Sequence, residues 1–402
     1  MCRIIEKRNV CEKHRAFRTS RGNMKKYIYK EHCSHTIPVF SPDGFDCFVT
    51  DGFDAFSEAV SSFSVQDRSV FLISECAYGG FYLDQLKEAV LKAGLKITVF
   101  ELSEEKEGFS FDAEAAYRAF QDAGFGEEDI LMSLGGIRSD AAAWLFSVRY
   151  MPKIKYIKIP VTFVGQVLSA SPIDVQMDMN WKAVQASYEA CGGKETNILS
   201  VLRKRNPDLV YINILAYKNL SETDRISGLG EVLRIGAGFD KDLFTYVESL
   251  TGQRAEYLFT FLLNVIMNCV LYGRAHAWKD NGDTMPFPGD EIGTALEKCT
   301  NYIIPHGQAA VIGLVVASNI SNKRGLLPND DHYALAKVLA SQGFVIMMNF
   351  ANDLIDAICA QLPHAEESDS SETFLLPKRI GTSVFAEDVT PDEIRRAMNY
   401  RR

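Results

Sequence analysis

Paired cysteines are missing from this chain. Its nine cysteines stand at positions 2, 11, 33, 47, 76, 191, 269, 299 and 359, and no two of them form a CxxC pair. That leaves no support for a zinc ribbon or a disulfide framework, and reduced thiols in a cytosol-like compartment are expected. The first segment, MCRIIEKRNVCEKHRAFRTSRGN, lacks the apolar core of a secretory signal. A membrane span is also missing: crossing a bilayer needs about 20 predominantly apolar residues. The one candidate, YLFTFLLNVIMNCVLYG at 257–273, is interrupted by Thr260, Asn264 and Asn268. Amides near a bilayer centre are costly, so this run reads as a buried helix of a helical domain. Positive charge is scarce as well. Lys and Arg number 43 against 52 Asp and Glu, a net charge of −9. Residues 1–26 carry nine Lys or Arg against Glu6 and Glu12, so the remaining chain stands at −16. An acidic body excludes a broad nucleic-acid footprint, which needs clustered cations. There is no P-loop motif, no internal repeat and no extended low-complexity tract.

What remains is a chain of 402 residues, 47% hydrophobic and 24% charged, enough to bury a large core in about two domains. Residues 1–25 read as a basic, disordered tail. Beyond it, short apolar runs alternate with amphipathic stretches. SVFLISE (69–75), KITVFEL (96–102), DILMSL (129–134) and YIKIPVTF (156–163) read as strands. Between them, FYLDQLKEAVLKAG (81–94), DAEAAYRAFQDAG (112–124) and SDAAAWLFSVRYM (139–151) read as helices. This is the rhythm of βαβ units and a parallel sheet. Past residue 215 the pattern changes to long apolar stretches at helical spacing. The expected fold class is α/β plus all-α: a Rossmann-like parallel-sheet domain over 26–215 and a mostly helical domain over 216–402. Cys269 and Cys299 lie in apolar helical contexts and read as small buried hydrophobes.

Two constellations carry chemistry. The strand ending at Leu134 runs into Gly135, Gly136, Ile137, Arg138, Ser139 and Asp140 and then into a helix. Glycines there let backbone approach a pyrophosphate, and the helix start offers N–H groups and a positive dipole end. A structural strand-to-helix turn accounts for the pair of glycines equally well. The second constellation is Glu231 in SGLGEVLRIG, Asp290 in FPGDEIGTALE and His306 in HGQAAVIGLVVAS. One histidine and two carboxylates can hold a divalent metal with an open position. Acids at helix starts also serve as caps, and the spacing by itself does not choose between the two.

Taken together these segments resemble the 3-dehydroquinate synthase superfamily, the sugar-phosphate cyclases, from about residue 45 to 395. The family's GGGVxGD appears as LGGIRSD, its PTTLLAQVD as PVTFVGQVL, its SGLAEVIK as SGLGEVLR, its GHTxGHALE as GDEIGTALE and its HGEAVAIGM as HGQAAVIGL. The resemblance implies NAD held around Gly135, Gly136, Ile137, Ser139, Thr162 and Gln166. It implies a divalent metal (Zn, Co or Fe) on Glu231, Asp290 and His306, with Asp290 standing where the family has a histidine. Asp140, Lys182 and Arg234 fall on catalytic positions. The implied chemistry is transient oxidation of a secondary hydroxyl by bound NAD, phosphate elimination, re-reduction and aldol closure to a carbocycle. A small sugar or cyclitol substrate, a cytoplasmic homodimer, no nucleic acid and no membrane complete the expectation.

The departures fall on cationic positions. The lysine of the family's VGGKT is Asp174, the lysine of AEVIK is Arg234, and the Arg and Asn preceding GHT are Asp283 and Phe287. The acid ending PTTLLAQVD is Leu168, the second histidine of GHTxGH is Thr294, and Ala183 replaces the asparagine beside Lys182. A doubly charged phosphate needs several fixed cations to offset its desolvation. Asp174 and Asp283 therefore argue against 3-deoxy-arabino-heptulosonate 7-phosphate as substrate. Three readings stay open: a specialised cyclase-type enzyme on another sugar or cyclitol, an NAD-dependent polyol or alcohol dehydrogenase of the same fold, and a non-catalytic relative.

Overall fold

The computed structural model describes residues 15–18, 25–28, 35–39, 45–63, 68–102, 111–169, 206–252, 258–276, 286–346, 349–362, 374–386 and 389–399. The chain divides into two compact units, Met1–Leu220 with Phe259–Thr284, and Ser221–Leu258 with Met285–Arg402.

In the first unit, strands β1 (Arg15–Arg18) and β2 (Lys25–Ile28) pair antiparallel. The basic segment expected to be disordered thus contains half of a hairpin. The main sheet comprises β3 (His35–Val39), β4 (Phe45–Thr50), β5 (Ser69–Glu75), β6 (Lys96–Leu102), β7 (Ile130–Gly135), β8 (Lys155–Pro160) and β9 (Leu209–Asn213). Their spatial order is β3-β4-β9-β8-β7-β5-β6. Only β3 runs antiparallel, to its neighbour β4, and the six strands from β4 to β6 in that order run parallel. Helices α1 (Phe56–Val60), α2 (Cys76–Lys92), α3 (Ala113–Asp122), α4 (Ile137–Tyr150) and α5 (Phe163–Val167) connect them.

Alternation along the strands separates two cores. Val70 and Leu72 of β5, with Ile130, Met132 and Leu134 of β7, pack with Tyr82, Leu86 and Val90 of α2. The intervening Phe71, Ile73 and Leu131 pack on the opposite side with Phe120 of α3 and Phe146 of α4. Side chains that point up and down by turns thus meet helices on both faces, which is why these strands read as continuous apolar runs. From β5 onward the order is β6-β5-β7-β8-β9, so the chain reverses direction between β5 and β7. In open sheets of this kind the crevice at the carboxyl ends of those two strands is the usual ligand position. Glu75 ends β5 and Gly135 ends β7.

From residue 258 the apolar run lies within a helix, Leu258–His276, with Phe261–Met267 buried. Its amides are absorbed internally, Asn264 Nδ2 donating to the Thr260 carbonyl at 2.9 Å and Asn268 Nδ2 to that of Asn264 at 2.8 Å. Residues 259–284 cluster with the α/β unit rather than with the helical one. No helix among the described residues is long and apolar enough to cross a membrane.

The second unit is built on α6 (Glu222–Phe239), α7 (Lys241–Ser249), α9 (Asp290–Cys299), α10 (His306–Lys323), α11 (Asn329–Ser341), α12 (Asn352–Gln361) and α13 (Pro391–Met398), counting Leu258–His276 as α8. A hairpin of β10 (Phe374–Arg379) and β11 (Thr382–Ala386) completes it. Helix α10 meets both α6 and α9 at backbone distance. A Cβ on Gly307 would stand 2.2 Å from Ser227 Cα, and one on Gly289 would stand 2.1 Å from the Gly313 carbonyl carbon. Glycine is required at these crossings, and the crossings set the distances between the residues that α6, α9 and α10 carry.

At the far end of this unit Arg324 grips Glu393 with two bonds, Nε to Oε1 and Nη2 to Oε2, both 2.7 Å. Thr390 closes a capping box on the same glutamate. The Arg324 hydrogen bonds are the main reason the Glu393 carboxyl sits at about 2, below its ordinary 4.5, against the opposing pull of burial. A depressed folded-state value means the pair contributes above about pH 4.5 and is lost as pH falls towards 2. Glu393→Gln, which keeps the capping geometry, is expected to cost about 1 kcal/mol at pH 7 and only a small part of that at pH 2. Urea melts at the two pH values check this, and an equal cost at both would refute it.

Candidate functional site

Helix α6 is started by Ser221, whose Oγ accepts from the Asp224 N–H at 3.1 Å. Three turns in, the helix is buried on every side, and there it carries Glu231 at 0% exposure and Arg234 at 3%. One turn apart, these two side chains share a face. Arg234 Nη2 and Nε both donate to Glu231 Oε2, at 2.7 and 3.2 Å. Arg234 Nη1 donates to Asp290 Oδ1. Asp290 is the first residue of α9, set there by Gly289 in the left-handed conformation (φ 74°). The Arg234 guanidinium lies 4.7 Å from the centroid of the Phe287 ring, a cation–π contact.

His306 opens α10 directly after Pro305. Its Nε2 stands 3.1 Å from Glu231 Oε1, and its Nδ1 is 2.8 Å from Glu297 Oε1. Burial alone would raise the Glu231 carboxyl, but Arg234 and His306 outweigh it and hold it at about 2. For His306 burial pulls downward, and the neighbouring carboxylates of Glu231 and Glu297 lift it to about 10. As folded, the cluster is an ionised carboxylate between two cations.

The three expected metal ligands are therefore brought together, but not around one point. Among the described residues no group of three or more His, Cys, Asp and Glu side chains is gathered as a metal-binding set. The donor types suit a divalent ion, and Glu231 Oε1 and His306 Nε2 fit one in placement. Although 3.1 Å apart, these two buried atoms do not meet at a hydrogen-bonding angle, and their separation is a little shorter than the roughly 3.3–3.6 Å between neighbouring ligand atoms on a tetrahedral ion with bonds near 2.0–2.2 Å. Asp290 is turned instead to Arg234. Glu297, which the sequence reading did not single out, orients His306 as outer-shell carboxylates orient metal-binding imidazoles. Its signal was present: it closes the GDEIGTALE stretch, seven residues and two helical turns after Asp290.

In the first unit the glycine turn lies at the reversal point of the sheet. Gly135 has φ 150°, and a Cβ there would stand 2.6 Å from Ser139 Oγ and 2.7 Å from Glu75 Cβ. Glu75 Oε2 accepts from the Gly136 N–H at 3.1 Å, and Ser139 Oγ donates to the Gly136 carbonyl at 2.9 Å. Glu75 is a second residue missed from sequence, for it reads as the end of an apolar strand. Burial raises its carboxyl above the usual range, with the Gly136 N–H and Arg138 opposing. Glycine at 135 makes room for the Ser139 and Glu75 side chains, and Ile137 is exposed beside the turn. Thr162 caps α5 by accepting from the Gly165 N–H at 3.1 Å. Gln166 Nε2 ties the ends of β8 and β9 together through the carbonyls of Pro160 and Asn213, at 3.3 and 2.9 Å.

Asp140, expected as a catalytic group, is 1% exposed. Its Oδ2 pairs with Lys158 Nζ at 2.9 Å and its Oδ1 accepts from Ser133 Oγ at 2.8 Å. Burial pushes its carboxyl upward while Lys158 and Ser133 pull it down. Both carboxyl oxygens are thus engaged by neighbours on β7 and β8. Lys182, Asp174 and Asp283 lie outside the described residues.

Residues 228–365 match the family model described as 3-dehydroquinate synthase C-terminal. The 3-dehydroquinate synthase of Clostridium kluyveri is 25% identical over 292 residues, covering 70% of this chain and 76% of that protein. The structure of 2-epi-5-epi-valiolone synthase from Streptomyces hygroscopicus subsp. jinggangensis 5008, with NAD+ and Zn2+ bound, aligns with a TM-score of 0.70 at 16% identity, covering 90% of this chain and 97% of that one. A 2-deoxy-scyllo-inosose synthase complexed with carbaglucose-6-phosphate, NAD+ and Co2+ aligns equally well, with a TM-score of 0.70 at 16% identity over 91% and 99% of the two chains. At these identities the likeness to solved structures establishes the fold.

Proposed function

From a chain that has the dehydroquinate synthase-like fold and carries that family's C-terminal domain, we propose an enzyme of the sugar-phosphate cyclase type, dependent on NAD and a divalent metal, acting on a phosphorylated sugar or cyclitol. The observation that carries this reading is the cluster of Glu231, Asp290 and His306. A wholly buried carboxylate held ionised beside an imidazole and a second acid is costly to keep in a fold that makes no use of it.

Glu231, Asp290 and His306 would hold the metal, and Gly135, Gly136, Ile137, Ser139, Thr162 and Gln166 would surround the dinucleotide. When bound, the two groups supply Lewis-acid polarisation of an oxygen and reversible hydride acceptance. The chain's own residues prepare for them. Glu297 accepts from His306 Nδ1, which fixes the ring and directs Nε2 at Glu231 Oε1. Glu75, through the Gly136 N–H, holds the glycine turn open at the end of β7. The carbaglucose-6-phosphate bound by the related inosose synthase supports a phosphorylated sugar as substrate class. The acids Asp174 and Asp283, set against the family pattern, argue for one other than the 3-dehydroquinate synthase substrate. A homodimer in the cytoplasm belongs to the same reading.

The test is an incubation of the purified protein with NAD, Zn2+ or Co2+ and a panel of hexose and heptulose phosphates. Phosphate release without net NADH is the expected outcome. Net NADH from a polyol without phosphate release would replace the cyclase reading with a dehydrogenase. Neither product from any compound would point to a non-catalytic relative.

A further inference from the structure

Two of the positions that depart from the family pattern, Arg234 and Phe287, touch each other. The guanidinium stacks on the Phe287 ring at 4.7 Å, places two donors on Glu231 Oε2 and another on Asp290, and is 3% exposed as a residue. A planar fork can bridge two carboxylates while one face lies on an aromatic ring, which a lysine ammonium cannot do. The replaced lysine and the new ring thus form one unit, fitted to the two acids from three sides.

We propose that the Arg234 guanidinium is the resident counter-cation of the Glu231–Asp290 pair and competes with a divalent metal for it. The chain accordingly keeps this site assembled without metal and binds the ion weakly. This rests on the reading of Glu231, Asp290 and His306 as the metal-binding residues. An ion entering at Glu231 Oε1 and His306 Nε2 that takes Asp290 as its third ligand would draw it away from Arg234. That leaves the buried guanidinium with Glu231 Oε2 alone, beside a doubly charged ion, and the repulsion opposes binding.

Thermal unfolding and calorimetric titration with Zn2+ and Co2+ test it, on wild type, Arg234→Met and Arg234→Lys, each stripped with EDTA first. Wild type is expected to melt at the same temperature in EDTA and in excess metal. Arg234→Met, which removes the charge and keeps most of the length, is expected to melt lower in EDTA, to recover with metal and to bind it at least about tenfold more tightly. Arg234→Lys, which keeps the charge and loses the bridge, secures the comparison should the methionine variant not fold, and is expected to lie between. Metal binding of equal strength in wild type and variants overturns the competition and leaves the metal site standing. Absence of binding in all three forms overturns both.

Discussion

Glu231→Ala is expected to lower the stability of the C-terminal unit by about 3–5 kcal/mol, the cost of removing one partner from a buried ion pair. The loss leaves Arg234 with Asp290 alone and His306 with Glu297 alone, in surroundings where Arg234 is 3% exposed. The cost lies in the stranded guanidinium more than in the lost carboxylate. Arg234→Met added to Glu231→Ala should therefore restore a large part of the stability, because apolar groups that replace both members of a buried pair are often close to neutral. Urea melts of the two single variants and the double variant in EDTA form a complete cycle, with an expected coupling of about 2 kcal/mol or more. Strictly additive costs would show that the two side chains do not depend on each other.

Gly307→Ala is expected to cost about 3 kcal/mol, at the upper end for overpacking. The added methyl would stand 2.2 Å from Ser227 Cα and 2.5 Å from the Ser227 carbonyl oxygen. Neither is a side chain that can turn aside, so the relief must come from helices α6 and α10 moving apart. Such a shift separates His306 from Glu231, which these helices carry. Thermal melts together with amide hydrogen exchange over 306–323 check both consequences. Gly80→Ala is the control. It is an exposed helical glycine with nothing within 4 Å of an added Cβ, and it should be neutral or stabilising by up to about 1 kcal/mol. Equal behaviour of the two variants would show that the helix crossing does not need its glycine.

The parallel sheet was legible because its central strands are buried on both faces and read as apolar runs, as SVFLISE does. The edge strand KITVFEL alternates apolar and polar residues, and β5 and β6 begin and end where those segments do. Helix α2 was less so. A helix was expected over 81–94, yet it begins at Cys76 and runs through Gly79-Gly80, since packing of Tyr82, Leu86 and Val90 against the sheet overrides the weak helix propensity of glycine. Within the site, the placement of Glu231 inside a helix and of Asp290 and His306 at helix starts followed from the segments that hold them. Their actual partners did not. Asp290 lies 56 residues beyond Arg234, and no local pattern says that a guanidinium spans the two acids or that Phe287 lies against it. Glu75 was invisible for the same reason, being joined to Gly136 across 61 residues of chain.

The seams of α10 against α6 and α9 have a consequence for how such a site changes over generations. Where two backbones touch directly, no side chain lies in the contact to be repacked when a neighbour mutates. The spacing of positions 231, 290 and 306 is thus carried by Gly307 and by the Gly289–Gly313 contact, and not by the chemistry those positions bear. Residues 234, 287, 290 and 294 do not themselves form these backbone contacts, so exchanging them changes the stability of their own contacts and leaves the helix crossings in place. An engineer could accordingly rewrite the ligand set of this unit, acid for histidine or arginine for lysine, and expect the helices to hold their places.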